Sequence, residues 1–212
     1  MKTDLRQEVS IPAHAVVLEG ALAVPSNAQG IVLFAHGSGS SRYSPRNNFV
    51  AEILQAGGIG TLLTDLLTKE EDLVYETRFN IELLTQRLLM VTEWIQNQKI
   101  TQGLPIGYFG ASTGAAAALN AAAVAGSQVK AVVSRGGRPD LAKQKAAEVI
   151  APVLLIVGGK DDVVIELNQQ AYELIASPKK MVIVPGATHL FEESGTLDEV
   201  ASLATDWFKT YL

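Results

Sequence analysis

Short runs of apolar residues alternate with longer segments of mixed polarity along this chain of 212 residues. The short runs show little polar alternation, which is typical of strands buried in a parallel sheet. Such strands are predicted at 31–35, 59–63, 106–109, 129–134, 153–157 and 180–184. Helices are predicted between them, at 47–56, 80–98, 113–125, 167–176 and 197–211. In the second of these helices, apolar residues recur at spacings of three and four, so one face is apolar.

Two further strands, at 9–11 and 15–24, precede this alternation. Because they follow one another directly, we expect the sheet to begin with an antiparallel pair. The later alternation of strands and helices predicts a mostly parallel sheet with helices on both faces. The sequence shows no internal repeat and no boundary of a second domain. The expected architecture is a single α/β domain over residues 1–212, folded as a three-layer αβα sandwich.

Composition narrows the classes of function. Hydrophobic residues make up 48% of the chain and charged residues 18%, which favours a buried sheet over a disordered chain. The net charge of −5 disfavours binding to nucleic acid or to an anionic membrane. Cysteine is absent, which excludes disulfides, cysteine-ligated zinc and a cysteine nucleophile. Residues 1–8 are polar and no apolar stretch has the length of a membrane span, so we expect a cytoplasmic protein.

The segment Gly110-Ala111-Ser112-Thr113-Gly114 joins a predicted strand to an alanine-rich predicted helix. A serine on such a sharp turn has its Oγ held up and exposed, an arrangement known as a nucleophile elbow. The motif is short, but its position between a strand and a helix makes a chance match less frequent. Ser112 is therefore the candidate nucleophile.

Two more polar residues follow later strands. Ligands bind at the carboxyl ends of the strands in such sheets, and Asp161 and His189 each come just after one. His189 is the candidate base for the Ser112 proton, because a neutral imidazole titrates near working pH. Asp161 is the preferred acid to orient the imidazole ring. Its neighbour Asp162 is the close alternative, and Asp140 is a third.

The negative oxygen of a tetrahedral intermediate needs hydrogen-bond donors. The backbone N–H of Thr113, at the start of the helix after the elbow, is one candidate. The second is expected in the glycine-containing loop after the first buried strand, from the N–H of Ser38 or else of Gly39. His36 in that loop is interpreted as structural, and His14 as structural or exposed.

Several arginines lie in or near loops that can face the same edge of the sheet. In a chain of negative net charge, a guanidinium there is suited to bind a substrate carboxylate. The candidate substrate-binding residues are Arg42, Arg135 and Arg138, with Arg46 and Arg78 in similar loops. No histidine or carboxylate cluster accompanies Asp65, so no metal site is predicted. The glycines at 57–60 precede a strand, whereas phosphate-binding loops follow one, so no nucleotide site is predicted.

Four segments together resemble the α/β-hydrolase superfamily and, within it, the dienelactone hydrolase-like group. They are His-Gly-Ser-Gly-Ser at 36–40, the elbow at 110–114, Val-Gly-Gly-Lys-Asp at 157–161 and Pro-Gly-Ala-Thr-His-Leu-Phe at 185–191. The order serine, acid, histidine is also the order of that fold. The resemblance implies that esters or lactones are cleaved through an acyl-enzyme without a cofactor. It also implies that Ser112, Asp161 and His189 are nucleophile, acid and base, although the enzymes that name the group use a cysteine nucleophile.

The expected function is that of a serine hydrolase acting on a small carboxylic ester or lactone. A thioesterase, a peptidase or an acyltransferase would use the same triad. The alternative of another class is a non-catalytic hydrolase-fold module that binds a small molecule or a partner. A small-molecule substrate is the partner that the sequence indicates, and no oligomeric state is predicted.

Many α/β-hydrolases insert a lid between the strand after the elbow helix and the strand before the acid, but here residues 134–153 leave room for one short helix only. Without a sizeable cap domain, an open site should hydrolyse short-chain activated esters without interfacial activation. Rates on 4-nitrophenyl acetate and on an emulsified long-chain lipid test this. Equal or faster turnover of the emulsified lipid would contradict the expectation of an open site.

Overall fold

A computed structural model describes residues 4–212, so the first three residues of the predicted polar N-terminal segment lie outside the described part. The strands are β1 (Leu5–Ala13), β2 (Val16–Val24), β3 (Ile31–Ala35), β4 (Gly60–Thr64), β5 (Ile106–Ala111), β6 (Val129–Arg135), β7 (Val153–Gly158) and β8 (Lys179–Val184). They form one sheet in the order β1-β2-β4-β3-β5-β6-β7-β8. Strand β2 is antiparallel to both β1 and β4, and the other neighbours are parallel. The mostly parallel sheet with an antiparallel start is confirmed.

Helices cover both faces of this sheet. They are α1 (Pro45–Ala56), α2 (Lys69–Asp72), α3 (Ile81–Gln96), α4 (Thr113–Ala125), α5 (Asp162–Leu174) and α6 (Thr196–Tyr211), with 3₁₀ turns at Tyr75–Phe79, Gly126–Gln128 and Pro139–Glu148. Helices α1 and α6 pack together on one face, where Val50, Leu54 and Phe208 are fully buried. Helices α3 and α4 pack together on the other face, so the three-layer sandwich is confirmed.

The alanine-rich helix α4 lies close to the sheet. Residues 115–119 are all fully buried, and four of these five are alanine. Small side chains allow a close approach between helix and strands in a densely packed interior. At the start of α4, a Cβ on Gly114 would overlap the carbonyl oxygen of Ala35 at the end of β3. This approach brings the turn before α4 against the loop after β3.

The predicted elements differ from the structure where apolar periodicity is weak. Helix α5 begins at Asp162 rather than near 167, because its inward residues are Val164, Asn168 and Ala171, and an asparagine interrupts the apolar pattern. Helix α2 and the 3₁₀ turn Tyr75–Phe79 were not predicted, since neither buries any residue. Between β6 and β7 lie only the 3₁₀ turns Pro139–Glu148, which is consistent with the absence of a cap domain.

No helix within residues 4–212 is both long and apolar enough to cross a bilayer.

Packing of α6 on β5 depends on Gly107, where a Cβ would lie 2.6 Å from Cε1 of Phe208. The G107A substitution should lower the free energy of unfolding by about 1–3 kcal/mol, because overpacking a dense core displaces side chains. The matched control is G60A, since Gly60 is also a buried strand glycine but its Cβ would meet nothing closer than 3.4 Å. Urea denaturation measures both variants, and a G107A protein as stable as G60A would refute this packing argument.

Candidate active site

Ser112 lies in the turn between β5 and α4 with φ 51° and ψ −124°, a backbone conformation that L-residues rarely adopt. Its N–H donates to the carbonyl of Arg135 at 3.4 Å, and its carbonyl accepts from the N–H groups of Ala115 and Arg138 at 3.1 and 2.9 Å. These bonds hold a conformation that costs on the order of 1–3 kcal/mol. A Cβ on Gly110 would lie 2.5 Å from the Cα of Ala115, so contact with α4 requires a glycine before the turn. The structure thus places Ser112 on a strained elbow, half-buried.

Asp161 and His189 are hydrogen-bonded to each other, with the imidazole Nδ1 at 2.7 Å from Asp161 Oδ2. The loops that carry them are joined, because the N–H of Lys160 donates to the carbonyl of Ala187 at 2.9 Å. The side chain of Asp161 is 16% exposed and that of His189 is 40% exposed, so the carboxylate is shielded while the ring remains accessible. With Nδ1 facing the carboxylate, Nε2 is the ring nitrogen left for proton transfer to another group.

The two alternative acids lie elsewhere. Asp162 is exposed in the first turn of α5. Asp140 accepts two hydrogen bonds from the guanidinium of Arg138, each 2.9 Å long. Of the three candidate carboxylates, the structure therefore brings only Asp161 to the imidazole of His189.

The loop after β6 lies between the elbow and the histidine. Its residue Gly136 has φ 50°, and a Cβ there would lie 3.0 Å from the carbonyl oxygen of His189 and 3.7 Å from its Nδ1. The preceding residue, Arg135, accepts the N–H of Ser112. In the described residues, no hydrogen bond joins Ser112 Oγ directly to His189. Catalytic hydrogen bonds of a free enzyme are often long and tighten only in the complex with substrate.

The loop after β3 contacts the elbow at the predicted oxyanion site. A Cβ on Gly37 would lie 2.9 Å from the Cβ of Ser112. The N–H of Thr113, at the first position of α4, has no acceptor within its own helix. The N–H of Ser38 was expected to be free to bind a substrate oxygen, but it donates to Thr113 Oγ1 at 3.0 Å. The side chain of Thr113 therefore occupies the acceptor position that was expected to stay open.

The two remaining histidines occupy structural and exposed positions. His36 accepts the N–H of Leu66 on Nε2 at 3.2 Å, which leaves Nδ1 as the donor to the carbonyl of Gly37 at 2.9 Å. These bonds tie the loop after β3 to the segment after β4. His14 is exposed, in the turn between β1 and β2.

Two of the three candidate arginines are already paired with carboxylates. Arg42 is paired with Asp65 and Glu8, and Arg138 with Asp140, so a substrate carboxylate at either guanidinium would compete with these partners. Arg46 and Arg78 are likewise paired, with Glu192 and Asp72.

Arg135 differs from the other arginines. It is only 6% exposed, and its Nη2 donates to Asn47 Oδ1 at 3.0 Å, while its Nε has no partner among the described residues. Burial, together with the nearby charge of Arg46, lowers the pKa of Arg135 to about 10. Its side chain lies over the ring of Phe191, with the guanidinium carbon 5.9 Å from the ring centroid. Arg135 is thus the candidate arginine without a carboxylate partner in the described residues.

Sequence reasoning missed Asn168, which positions the loop after β6. Its side chain is fully buried in α5 and its Nδ2 donates to the carbonyl of Gly137 at 3.0 Å. The next residue, Arg138, donates its backbone N–H to Ser112. The available signal was a lone asparagine on the inward face of a helix, because a buried amide needs hydrogen-bond partners.

The sheet order, the elbow and the loops at the carboxyl edge of the strands define an α/β-hydrolase fold. Residues 18–212 match the dienelactone hydrolase family, so this chain belongs to that family. It is 54% identical to the dienelactone hydrolase of Anabaena variabilis, whose crystal structure superposes with a TM-score of 0.96 over 99% of both chains. Est1E from Butyrivibrio proteoclasticus has the same fold, with 16% identity and a TM-score of 0.80 over 96% of this chain and 98% of its own.

A Mycobacterium tuberculosis protein that bears the name of a phosphoribosyl transferase is 57% identical over 206 residues. The match covers 97% of this chain but 46% of that protein. The chain therefore spans about half the length of the curated relatives it matches. Their name describes the longer protein, about half of which lies outside the match.

Asp161 contacts His189 and its neighbour Asp162 does not, so substitution of each aspartate tests which of them is the acid. The D161N substitution should lower kcat for 4-nitrophenyl acetate by roughly 10⁴-fold, because an amide holds the imidazole in the wrong tautomer. D162N is the matched control, and as a change at an exposed position it should alter kcat by less than about threefold. A larger loss in D162N than in D161N would transfer the role of the acid to Asp162.

Proposed function

We propose that this member of the dienelactone hydrolase family is a serine hydrolase that cleaves a small carboxylic ester or lactone through an acyl-enzyme. The observation that carries the proposal is the 2.7 Å hydrogen bond between His189 Nδ1 and Asp161 Oδ2, at the same sheet edge as a serine with φ 51°. A strained serine turn at the same sheet edge as an oriented imidazole supports the activation of a hydroxyl nucleophile.

In the proposed reaction, His189 Nε2 takes the proton of Ser112 as Oγ adds to the substrate carbonyl carbon. Asp161 stabilises the imidazolium that results. The N–H of Thr113 donates to the negatively charged oxygen of the tetrahedral intermediate. The intermediate collapses as His189 protonates the leaving alkoxide oxygen, and Ser112 keeps the acyl group. Water then attacks the acyl-enzyme by the same route, with His189 again as base, and releases the acid.

A small substrate is supported by the openness of the site. The segment between β6 and β7 contains only the 3₁₀ turns Pro139–Glu148, so no lid covers the elbow from there. The side chain of His189 is also 40% exposed. The similarity to the Anabaena variabilis dienelactone hydrolase, at 54% identity over 99% of both chains, supports an ester or lactone as substrate. A cytoplasmic location remains part of this proposal.

Phosphoribosyl transfer is not proposed for this chain. That name belongs to a relative of which the match covers 46%, whereas residues 18–212 of this chain match a hydrolase family. A thioesterase, a peptidase and an acyltransferase share the proposed triad and differ in the group that leaves or accepts the acyl chain. A non-catalytic module would keep the fold without a reactive serine.

A fluorophosphonate probe should label the folded protein on Ser112, and S112A should not be labelled, because the probe reacts with an activated serine. Intact-protein and peptide mass spectrometry locate the adduct. The control is S40A, since Ser40 lies in the neighbouring loop after β3, and this variant should label like the parent.

Rates on nitrophenyl esters, lactones and thioesters, measured with and without S112A, then identify the substrate class. Ester or lactone hydrolysis that S112A abolishes supports the proposal. A folded parent that neither labels nor hydrolyses any of these substrates would instead favour the non-catalytic binding module.

A further inference from the structure

We propose that the side-chain hydroxyl of Thr113 is a catalytic hydrogen-bond donor to the oxyanion, in place of the N–H of Ser38. This inference rests on the proposed function and deepens it. Its first observation is the bond from the Ser38 N–H to Thr113 Oγ1 at 3.0 Å. A backbone N–H carries one proton, so a Ser38 N–H that donates to this hydroxyl has none left for a substrate oxygen.

The second observation is that the proton of the Thr113 hydroxyl is not used elsewhere. Four threonines in other helices donate their hydroxyl proton to the carbonyl four residues earlier; they are Thr85, Thr92, Thr205 and Thr210. Thr113 is the first residue of α4, and the residue four positions before it, Phe109, lies in β5. Within residues 4–212, the Thr113 hydroxyl accepts from Ser38 and donates to no protein group.

The third observation is the position of the hydroxyl. Thr113 directly follows Ser112 and is only 3% exposed. In the loop after β3, Gly37 lies so close to Ser112 that a Cβ added to Gly37 would come within 2.9 Å of the Ser112 Cβ. The hydroxyl therefore lies between the two backbone segments that were expected to form the oxyanion hole. A hydroxyl that accepts one hydrogen bond becomes a stronger donor in the next, because bonds in a chain polarise one another.

The chemistry of this step needs no additional proton acceptor. As Ser112 Oγ bonds to the carbonyl carbon, the π electron pair of the carbonyl moves onto its oxygen. The N–H and the Oγ–H of Thr113 both donate to that oxygen and both keep their protons. The proton of Ser112 goes to His189 alone, so the charges of the intermediate balance.

Removal of the hydroxyl at constant side-chain size tests this role. T113V should lower kcat for 4-nitrophenyl acetate about a hundredfold with little change in KM, since loss of one oxyanion donor costs about 10²–10³-fold. T113S should recover most of that loss. The matched control is T205V, because Thr205 is also a buried helix threonine, at 8% exposure, and it lies in α6 away from the elbow. T205V should have the kcat of the parent.

A displaced loop could also lower kcat, so a second readout isolates the contact with the substrate oxygen. Replacement of the carbonyl oxygen by sulfur gives a thionoester, whose sulfur is a weak hydrogen-bond acceptor. The ratio of kcat/KM for the ester to kcat/KM for its thionoester should fall at least about tenfold in T113V. The reason is that the lost donor stabilises a negative oxygen more than a negative sulfur. The ratio should be unchanged in T205V. T113A is measured in the same way if thermal unfolding shows that T113V does not fold.

The outcomes separate this inference from the proposed function. A T113V protein with the kcat of the parent overturns the role of the hydroxyl. So does a T113V protein with reduced kcat but the parental ester-to-thionoester ratio, since the loss would then not come from a donor to the substrate oxygen. A folded parent that neither hydrolyses esters nor labels on Ser112 overturns the proposed function, and the role of the hydroxyl with it.

Discussion

The start of α4 packs directly against the end of β3, and this contact sets the shape of the candidate active site. The backbone of Gly114 lies against the carbonyl of Ala35 with no room for a Cβ, and the buried alanines after it keep the helix close to the sheet. A helix held this close leaves only a sharp turn between β5 and α4. Ser112 takes up that turn with φ 51°, and the strain on the order of 1–3 kcal/mol is offset by the surrounding packing.

The loops around this turn are held mainly by backbone hydrogen bonds. The N–H of Arg138 donates to Ser112, the N–H of Lys160 donates to Ala187, and buried Asn168 holds the carbonyl of Gly137. Each loop leaves the end of a strand in one rigid sheet, which gives a site more precision than free loops would. Most arginines near this edge of the sheet are paired with carboxylates. The loops here are therefore positioned by hydrogen bonds and packing rather than by a concentration of unpaired charge.

Much of the candidate site could be predicted because its residue types mark local structure. Glycines flank Ser112 because neither position has room for a side chain, and Asp161 and His189 each follow a strand. The choice between Asp161 and Asp162 depended on which side chain turns towards the loop that carries His189. The direction of a side chain cannot be read from the sequence for two adjacent residues of the same type. The pairing of Ser38 with Thr113 was also not predicted, because the two residues are 75 positions apart.

The sequence was sufficient to predict the α/β class, the strand–helix alternation and the elbow, because apolar periodicity and glycine positions act over a few residues. It also excluded cysteine chemistry by composition. The folded structure was needed to establish which carboxylate contacts His189, which arginines are already paired, and where the Ser38 N–H points. These are contacts between loops from different strands, and their distances depend on how the strands are ordered and how closely the helices pack on them.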